Sequence, residues 1–259
     1  MLFRSDGNLI TGRTGHAVLV RTQGAAAGST LSLGVFNNTL TTSAATLDTF
    51  HLDWNGGVTG SINVNTFNFG NNLSNGLFMN LGSATLAQSS NIEILSNTFN
   101  APAGIGTHGI DITTNGASNN IRIGQLIGQP TGNVMTFNSP GLATGDIGMR
   151  FSLGANSNVN IFNNSISMTA DGGTGMQFTL VQGPSNLTID NNVINVSPIN
   201  NFGAIERGID ILAVSGTVTL FGTQNNDVIL DRVRGSTSPW FFAPNTINGK
   251  IIVNGVSVP

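Results

Sequence analysis

Asn186-Leu187-Thr188-Ile189-Asp190-Asn191-Asn192-Val193-Ile194-Asn195-Val196 is the stretch whose reading decides the fold. Leu187 and Ile189 alternate with polar residues, the chain turns at an Asn pair, and Ile194 and Val196 resume the alternation. A period of two predicts half-buried strands on both sides of the turn. Close copies recur. Asn91-Ile92-Glu93-Ile94 leads to Asn97-Thr98-Phe99, and Asn158-Val159-Asn160-Ile161 leads to Asn163-Asn164-Ser165-Ile166. Asn suits such a corner because it tolerates left-handed backbone, and stacked amides can hydrogen-bond from copy to copy.

Aligned on this pattern, leading strands start near Thr30, Ser61, Asn91, Asn120, Asn158, Asn186 and Thr217, separated by 31, 30, 29, 38, 28 and 31 residues. The long interval marks an insertion over Gln125–Gly132, with Asn133-Val134-Met135 standing where Asn97-Thr98-Phe99 would. The first two copies fit the Asn turn less well, by a residue or two. A second ladder reads Gly, apolar, variable, apolar: Gly76-Leu77-Phe78-Met79, Gly109-Ile110-Asp111-Ile112, Gly148-Met149-Arg150-Phe151, Gly175-Met176-Gln177-Phe178 and Gly208-Ile209-Asp210-Ile211. Phe50-His51-Leu52-Asp53-Trp54 is an earlier copy without the Gly. Three short strands per unit, without helical periodicity, predict stacked rungs in which Ile94, Ile123, Ile161, Ile189 and Leu220 form one inward column. The expected fold is an all-β parallel β-helix (β-solenoid) of about seven to eight rungs of roughly 30 residues each. Residues 1–29 read as an incomplete first rung, 30–230 as the repeats, and 231–259 as a last rung or C-terminal cap.

Composition narrows the function. Only 8% of residues are charged and the net charge is −3, with one Lys and eight Arg. That leaves no basic stripe for nucleic acid. No apolar run approaches the ~20 residues of a membrane-spanning helix. Cys is absent, which removes disulfides and thiolate chemistry. The N-terminus carries no signal peptide, and the chain reads as part of a longer protein.

These repeats resemble the right-handed parallel β-helix of the pectin-lyase-like superfamily, in particular Asn/Gly/Thr-rich bacterial β-strand-repeat surface proteins and autotransporter passengers. The resemblance spans about residues 10–255 and rests on the Asn turn and the Gly-led ladder, which specify architecture better than activity. In the superfamily's enzymes, substrate lies along one parallel sheet. If the Gly-led ladder is that sheet, its outward row is His51, Phe78, Asp111, Arg150, Gln177 and Asp210, followed by Asp53, Asn80, Thr113, Ser152 and Thr179. These are the candidate binding residues, and Asp111, Arg150 and Asp210 are the candidate catalytic ones. The simpler reading is a solvated sheet face.

Rungs about 4.8 Å apart would let Asp111 pair with Arg150. Asp111 and Asp210, about three rungs apart, would be separated by roughly 14 Å, beyond the ~9.5 Å of the widest glycosidase carboxylate pairs. The Asn-Thr-Asp, Asp-Asp, Gly-His-Gly and Arg-Ile-Lys motifs of polygalacturonase-like enzymes are missing. The acids do not cluster densely enough to give calcium its roughly six to eight oxygens. His16, His51 and His108 are widely spaced, and neither metal nor cofactor is expected. Phe67, Phe99, Phe137, Phe151 and Phe178 read as core; Phe78, Trp54 and Trp240 read as outward exceptions. The expected function is a non-catalytic extracellular or cell-surface module acting as spacer, adhesin or matrix element. Its partners would be a polysaccharide or cell-surface glycan, or other copies of the chain through the solenoid ends. The alternatives are a polysaccharide lyase or glycosidase, and a tailspike-like glycan-binding rod.

Overall fold

In the computed structural model the chain winds as an all-β parallel solenoid of about six turns. The structure describes residues 1–22, 29–43, 46–70, 73–82, 88–102, 106–138, 145–169, 171–197, 206–222, 226–230, 240–242, 249–253 and 256–258, and from 229 onward the backbone alone. The number of turns is slightly below the seven to eight expected, although strands at both ends bring one sheet to eight. Each turn contributes a strand to three faces. The first face runs through Thr30–Phe36, Gly57–Asn63, Ser89–Leu95, Ser118–Gly124, Ser157–Phe162 and Ser185–Asp190. The second holds the short strands after the Asn corner, such as Thr98–Ala101, Val134–Phe137 and Ser165–Met168. The third holds the Gly-led ladder: Phe50–Trp54, Asn75–Leu81, His108–Thr114, Ile147–Leu153, Thr174–Gln182 and Arg207–Ile211. Residues 1–22 supply a strand to each of the three faces. Near the other end Gly249–Val253 continues the first face in parallel, and Val256–Val258 folds back antiparallel upon it. Pairing of this kind covers an otherwise open sheet edge.

Register corrects the alignment in two places. Ile62, Ile94, Ile123, Ile161 and Ile189 form one inward column, but Leu220 pairs with Leu187 and so joins the neighbouring column. A shift of two preserves the inward face, so periodicity could not distinguish the two registers. The first two copies also carry the Asn corner without offset, because the register partners of Asn91 are Ser32 and Thr59 rather than Thr30 and Ser61. The insertion is where expected: Thr98 pairs with Val134 and Phe99 with Met135, and the extra residues form an outer loop whose Ile127 is 91% exposed.

The Asn corner divides two jobs between neighbouring residues. Asn37, Val64, Ser96, Asn163 and Asn191 take the left-handed conformation, with φ between 54° and 59°. The next residue, always Asn, points inward. Asn8, Asn38, Asn65, Asn97, Asn133, Asn164, Asn192 and Asn226 form one ladder through the stack. Asn133 Oδ1 accepts from Asn97 N (2.9 Å) and Asn97 Nδ2 (3.0 Å), while its own Nδ2 donates to Ile94 O (2.9 Å) and Asn164 Oδ1 (2.8 Å). Every buried corner amide thereby finds partners in its own turn or an adjacent one.

Between the ladders the core is apolar and continuous. Phe67, Phe99, Phe137, Phe151 and Phe178 are fully buried, with Phe67 stacked on Phe99 at 4.7 Å and Phe151 on Phe178 at 4.9 Å. Trp54 is a correction: it is buried at the inward end of its strand, because it lies two residues past Leu52 in a period-two pattern. The Trp240 side chain lies outside the described residues.

Candidate functional site

The third face brings the whole expected row into register. His51 lies beside Phe78, Phe78 beside Asp111, Asp111 beside Arg150, Arg150 beside Gln177, and Gln177 beside Asp210. The next row departs at one point. A bulge after Phe151 sets Leu180 opposite Ser152, so Thr179 leaves the row and its hydroxyl donates to Phe151 O at 3.0 Å.

The acids of this row are not solvated, as a plain outward face would have them. Asp111 is 3% exposed and Asp210 0%. Arg150 lies over Asp111 as a bidentate fork, Nε to Oδ1 at 3.1 Å and a terminal nitrogen to Oδ2 at 2.5 Å. Asp210 Oδ2 accepts from Arg207 at 2.9 Å and from Gln177 Nε2 at 3.3 Å. A carboxylate whose oxygen is taken up by a guanidinium is poorly placed to reach a substrate's proton in a reaction. Asp53 is more open, accepting from Asn80 Nδ2 at 3.0 Å, with Arg21 at 3.8 Å. Arg150→Ala would leave the Asp111 charge buried and unpaired. It is expected to cost about 2 kcal/mol, moderated because Arg150 itself reaches solvent. The double variant Arg150→Ala/Asp111→Ala should recover part of that loss, and urea unfolding curves measure both.

The three histidines of the chain, distant in sequence, converge beside this row. Asp48 sits at the centre, buried just before the Phe50–Trp54 strand. His51 Nδ1 is 2.6 Å from Asp48 Oδ2, and Asp48 Oδ1 accepts from Asn75 Nδ2 (2.6 Å) and Asn75 N (3.1 Å). His16 Nδ1 accepts from Asp48 N at 3.0 Å and lies 3.9 Å from Asp48 Oδ2. The His51 ring stacks on Phe78 at 4.6 Å and meets the His16 ring at 4.6 Å. On the next turn His108 Nδ1 is 2.6 Å from Asn75 Oδ1. Since Asn75 spends its amide hydrogens on Asp48, its oxygen accepts, and His108 carries its proton on Nδ1. Phe78 is outward as expected, and acts as the platform under His51.

Burial pushes the His108 pKa down to about 4, helped by the Arg150 guanidinium and opposed by Asp111 and Asp48. Burial and the neighbouring His51 also lower His16. For a base whose folded pKa is depressed, the unfolded chain binds more protons between the two values. Stability is then complete above pH ~6.5 and falls as pH drops toward ~4. The loss attributable to His108 should be on the order of 2 kcal/mol at pH 4.5. His108→Gln should flatten the urea midpoint between pH 7 and 4.5, with part of the slope kept by His16.

A separate groove of about 780 Å³ lies along the second face, lined by Thr41, Asn68, Phe69, Asn100, Ala101 and Thr136 among others. Thr41, Asn68, Asn100 and Thr136 are register partners, so amides and hydroxyls recur at every turn along its floor, and none of the lining residues is charged. No protein-family model matches the chain, nor does any curated protein or solved structure.

Proposed function

We propose that the chain is a non-catalytic, extracellular or cell-surface β-solenoid module of a larger protein, serving as a stiff spacer, adhesin or matrix element. The observation that carries this reading is the unbroken Asn ladder from Asn8 to Asn226. Each turn is tied to both neighbours by buried amides as well as by three parallel sheets, so opening one turn orphans polar groups in two others. A stack built this way resists bending and proteolysis. The engaged state of Asp111 and Asp210 weighs against a lyase or glycosidase using them. The likeness to bacterial β-strand-repeat surface proteins fits the same role.

A recognition face on this rod is favoured by the uncharged groove of the second sheet. Its amide and hydroxyl rows, about 4.8 Å apart, offer donors and acceptors to the hydroxyls of a neutral glycan laid along the axis. The test joins limited proteolysis with a polysaccharide depolymerisation screen and a glycan array. Protease resistance, no new reducing or unsaturated ends, and binding confined to neutral glycans are expected. Cleavage of an acidic polysaccharide, abolished by Arg150→Ala in a variant that still folds, would overturn the proposal. A stable trimer in light scattering would favour the tailspike-like rod instead.

A further inference from the structure

We propose that His16, Asp48 and His51 form a binding site for a divalent transition-metal ion of the Zn²⁺ class, clamping the first turn of the solenoid to the second. Their ligand atoms, two imidazole nitrogens and one carboxylate oxygen, all lie within 4.8 Å of one another. Imidazole with a single carboxylate suits Zn²⁺, Ni²⁺ or Co²⁺, whereas Ca²⁺ and Mg²⁺ prefer all-oxygen shells.

The two separations from Asp48 Oδ2 need little adjustment. A tetrahedral ion about 2.1 Å from each donor sets the donors roughly 3.4 Å apart. The His51 Nδ1 to Asp48 Oδ2 separation of 2.6 Å would open, and the His16 Nδ1 to Asp48 Oδ2 separation of 3.9 Å would close. Both changes are below 1 Å by comparison with that spacing. Binding would break the His51–Asp48 hydrogen bond and exchange the Asp48 N–H···His16 bond for a metal–nitrogen bond. The Nδ1 proton of a neutral His51 moves to Nε2 through solvent, so the ring binds as neutral imidazole with no net proton released, and no redox step is involved.

The surroundings fit a metal ligand set. Asn75 holds Asp48 Oδ1 through two hydrogen bonds, which fixes the carboxylate and leaves Oδ2 turned to the histidines. Groups in this position orient ligands and tune affinity. Phe78 supports the His51 ring from the other side. The His16 and His51 side chains are each 18% exposed, so an ion can enter. Three protein donors leave a coordination position for water or for a donor group of a bound molecule. His16 precedes the Val18–Arg21 strand, while Asp48 and His51 belong to the next turn, paired with it through Val18–Phe50 and Leu19–His51. The ion would therefore join the first turn to the second.

Isothermal titration of the full chain with ZnCl₂, after removal of metals by chelator, tests the site. One Zn²⁺ per chain is expected, with His16→Gln and His51→Gln each weakening binding by at least about tenfold. His108→Gln, outside the ligand set, should leave affinity within about threefold. Co²⁺ gives a second readout that does not depend on variant folding: the wild-type complex should show the intense visible bands of a four- or five-coordinate ion. Failure to retain Zn²⁺, Ni²⁺ or Co²⁺ at submillimolar free metal would overturn the proposal. So would a Co²⁺ spectrum of the six-coordinate aqueous ion, or unchanged Zn²⁺ affinity in folded His16→Gln and His51→Gln. The rod proposal survives any of these outcomes, because it rests on the Asn ladder.

Discussion

Asn164→Ala is expected to destabilise the protein by about 4–6 kcal/mol, from two or three buried polar groups left without partners at ~1–3 kcal/mol each. Asn164 Nδ2 donates to Ile123 O, Phe162 O and Asn192 Oδ1, and its Oδ1 accepts from Asn133 N and Asn133 Nδ2. Alanine leaves the Asn133 N–H without its acceptor and frees the Ile123 and Phe162 carbonyls from their side-chain donor. The effect crosses turns, because Asn133 is one turn before and Asn192 one turn after. Asn164→Asp keeps the acceptor but loses the donors and buries a charge, so it should be no better tolerated at pH 7. Asn8→Ala, at the exposed end of the ladder, should cost under about 1 kcal/mol. Urea unfolding followed by circular dichroism measures all three. Equal losses at Asn8 and Asn164 would remove the ladder from the account of stability.

Gly148→Ala should be comparably severe for a different reason. A Cβ at Gly148 would stand 2.5 Å from Gly175 O and 2.9 Å from Ile166 Cγ2. Gly109 and Gly175 meet the same obstacles, with Gly148 O at 2.7 Å for the former, and Ile194 Cγ2 at 2.4 Å and Gly208 O at 2.7 Å for the latter. The Gly of the ladder lets the second-face side chains and the next turn's backbone close over the strand. Overpacking usually costs ~1–3 kcal/mol, and more where backbone must move. Here the obstructing carbonyl is fixed between neighbouring turns, so a loss above about 3 kcal/mol is expected, with reduced soluble yield. Gly15→Ala, where nothing lies within 4 Å and φ is not in the left-handed region, serves as the neutral comparison. Calorimetric midpoints of the two variants should differ clearly.

Much of the architecture was legible because each unit repeats its own local rules. Alternation marked the strands, Asn marked the corners, and Gly-apolar-x-apolar marked the third face. The Asp111–Arg150 pair followed from placing successive rungs in register. The same alignment missed the burial of Asp111 and Asp210, since burial depends on where Arg150 and Arg207 lay their side chains. It also placed Trp54 outward and misjudged the register at Leu220, where a shift of two leaves the pattern intact.

The histidine cluster was invisible for a sharper reason. Asp48 precedes its strand and belongs to neither ladder, and His16 sits before the first third-face strand. One signal was available: His108 and Asn75 each fall just ahead of a ladder Gly, which sets them side by side once turns are stacked.

By itself the sequence determined the solenoid, its corners, its core and its insertion, because those depend on spacings within a turn and their repetition from turn to turn. The tertiary structure alone decided which polar groups meet on the third face. His16, then Asp48 with His51, then Asn75, then His108 lie on successive turns, and their contacts of 2.6–3.0 Å depend on register and side-chain direction rather than composition. Stacking converts sequence separations of about thirty residues into steps of about 4.8 Å, and only the folded chain performs that conversion.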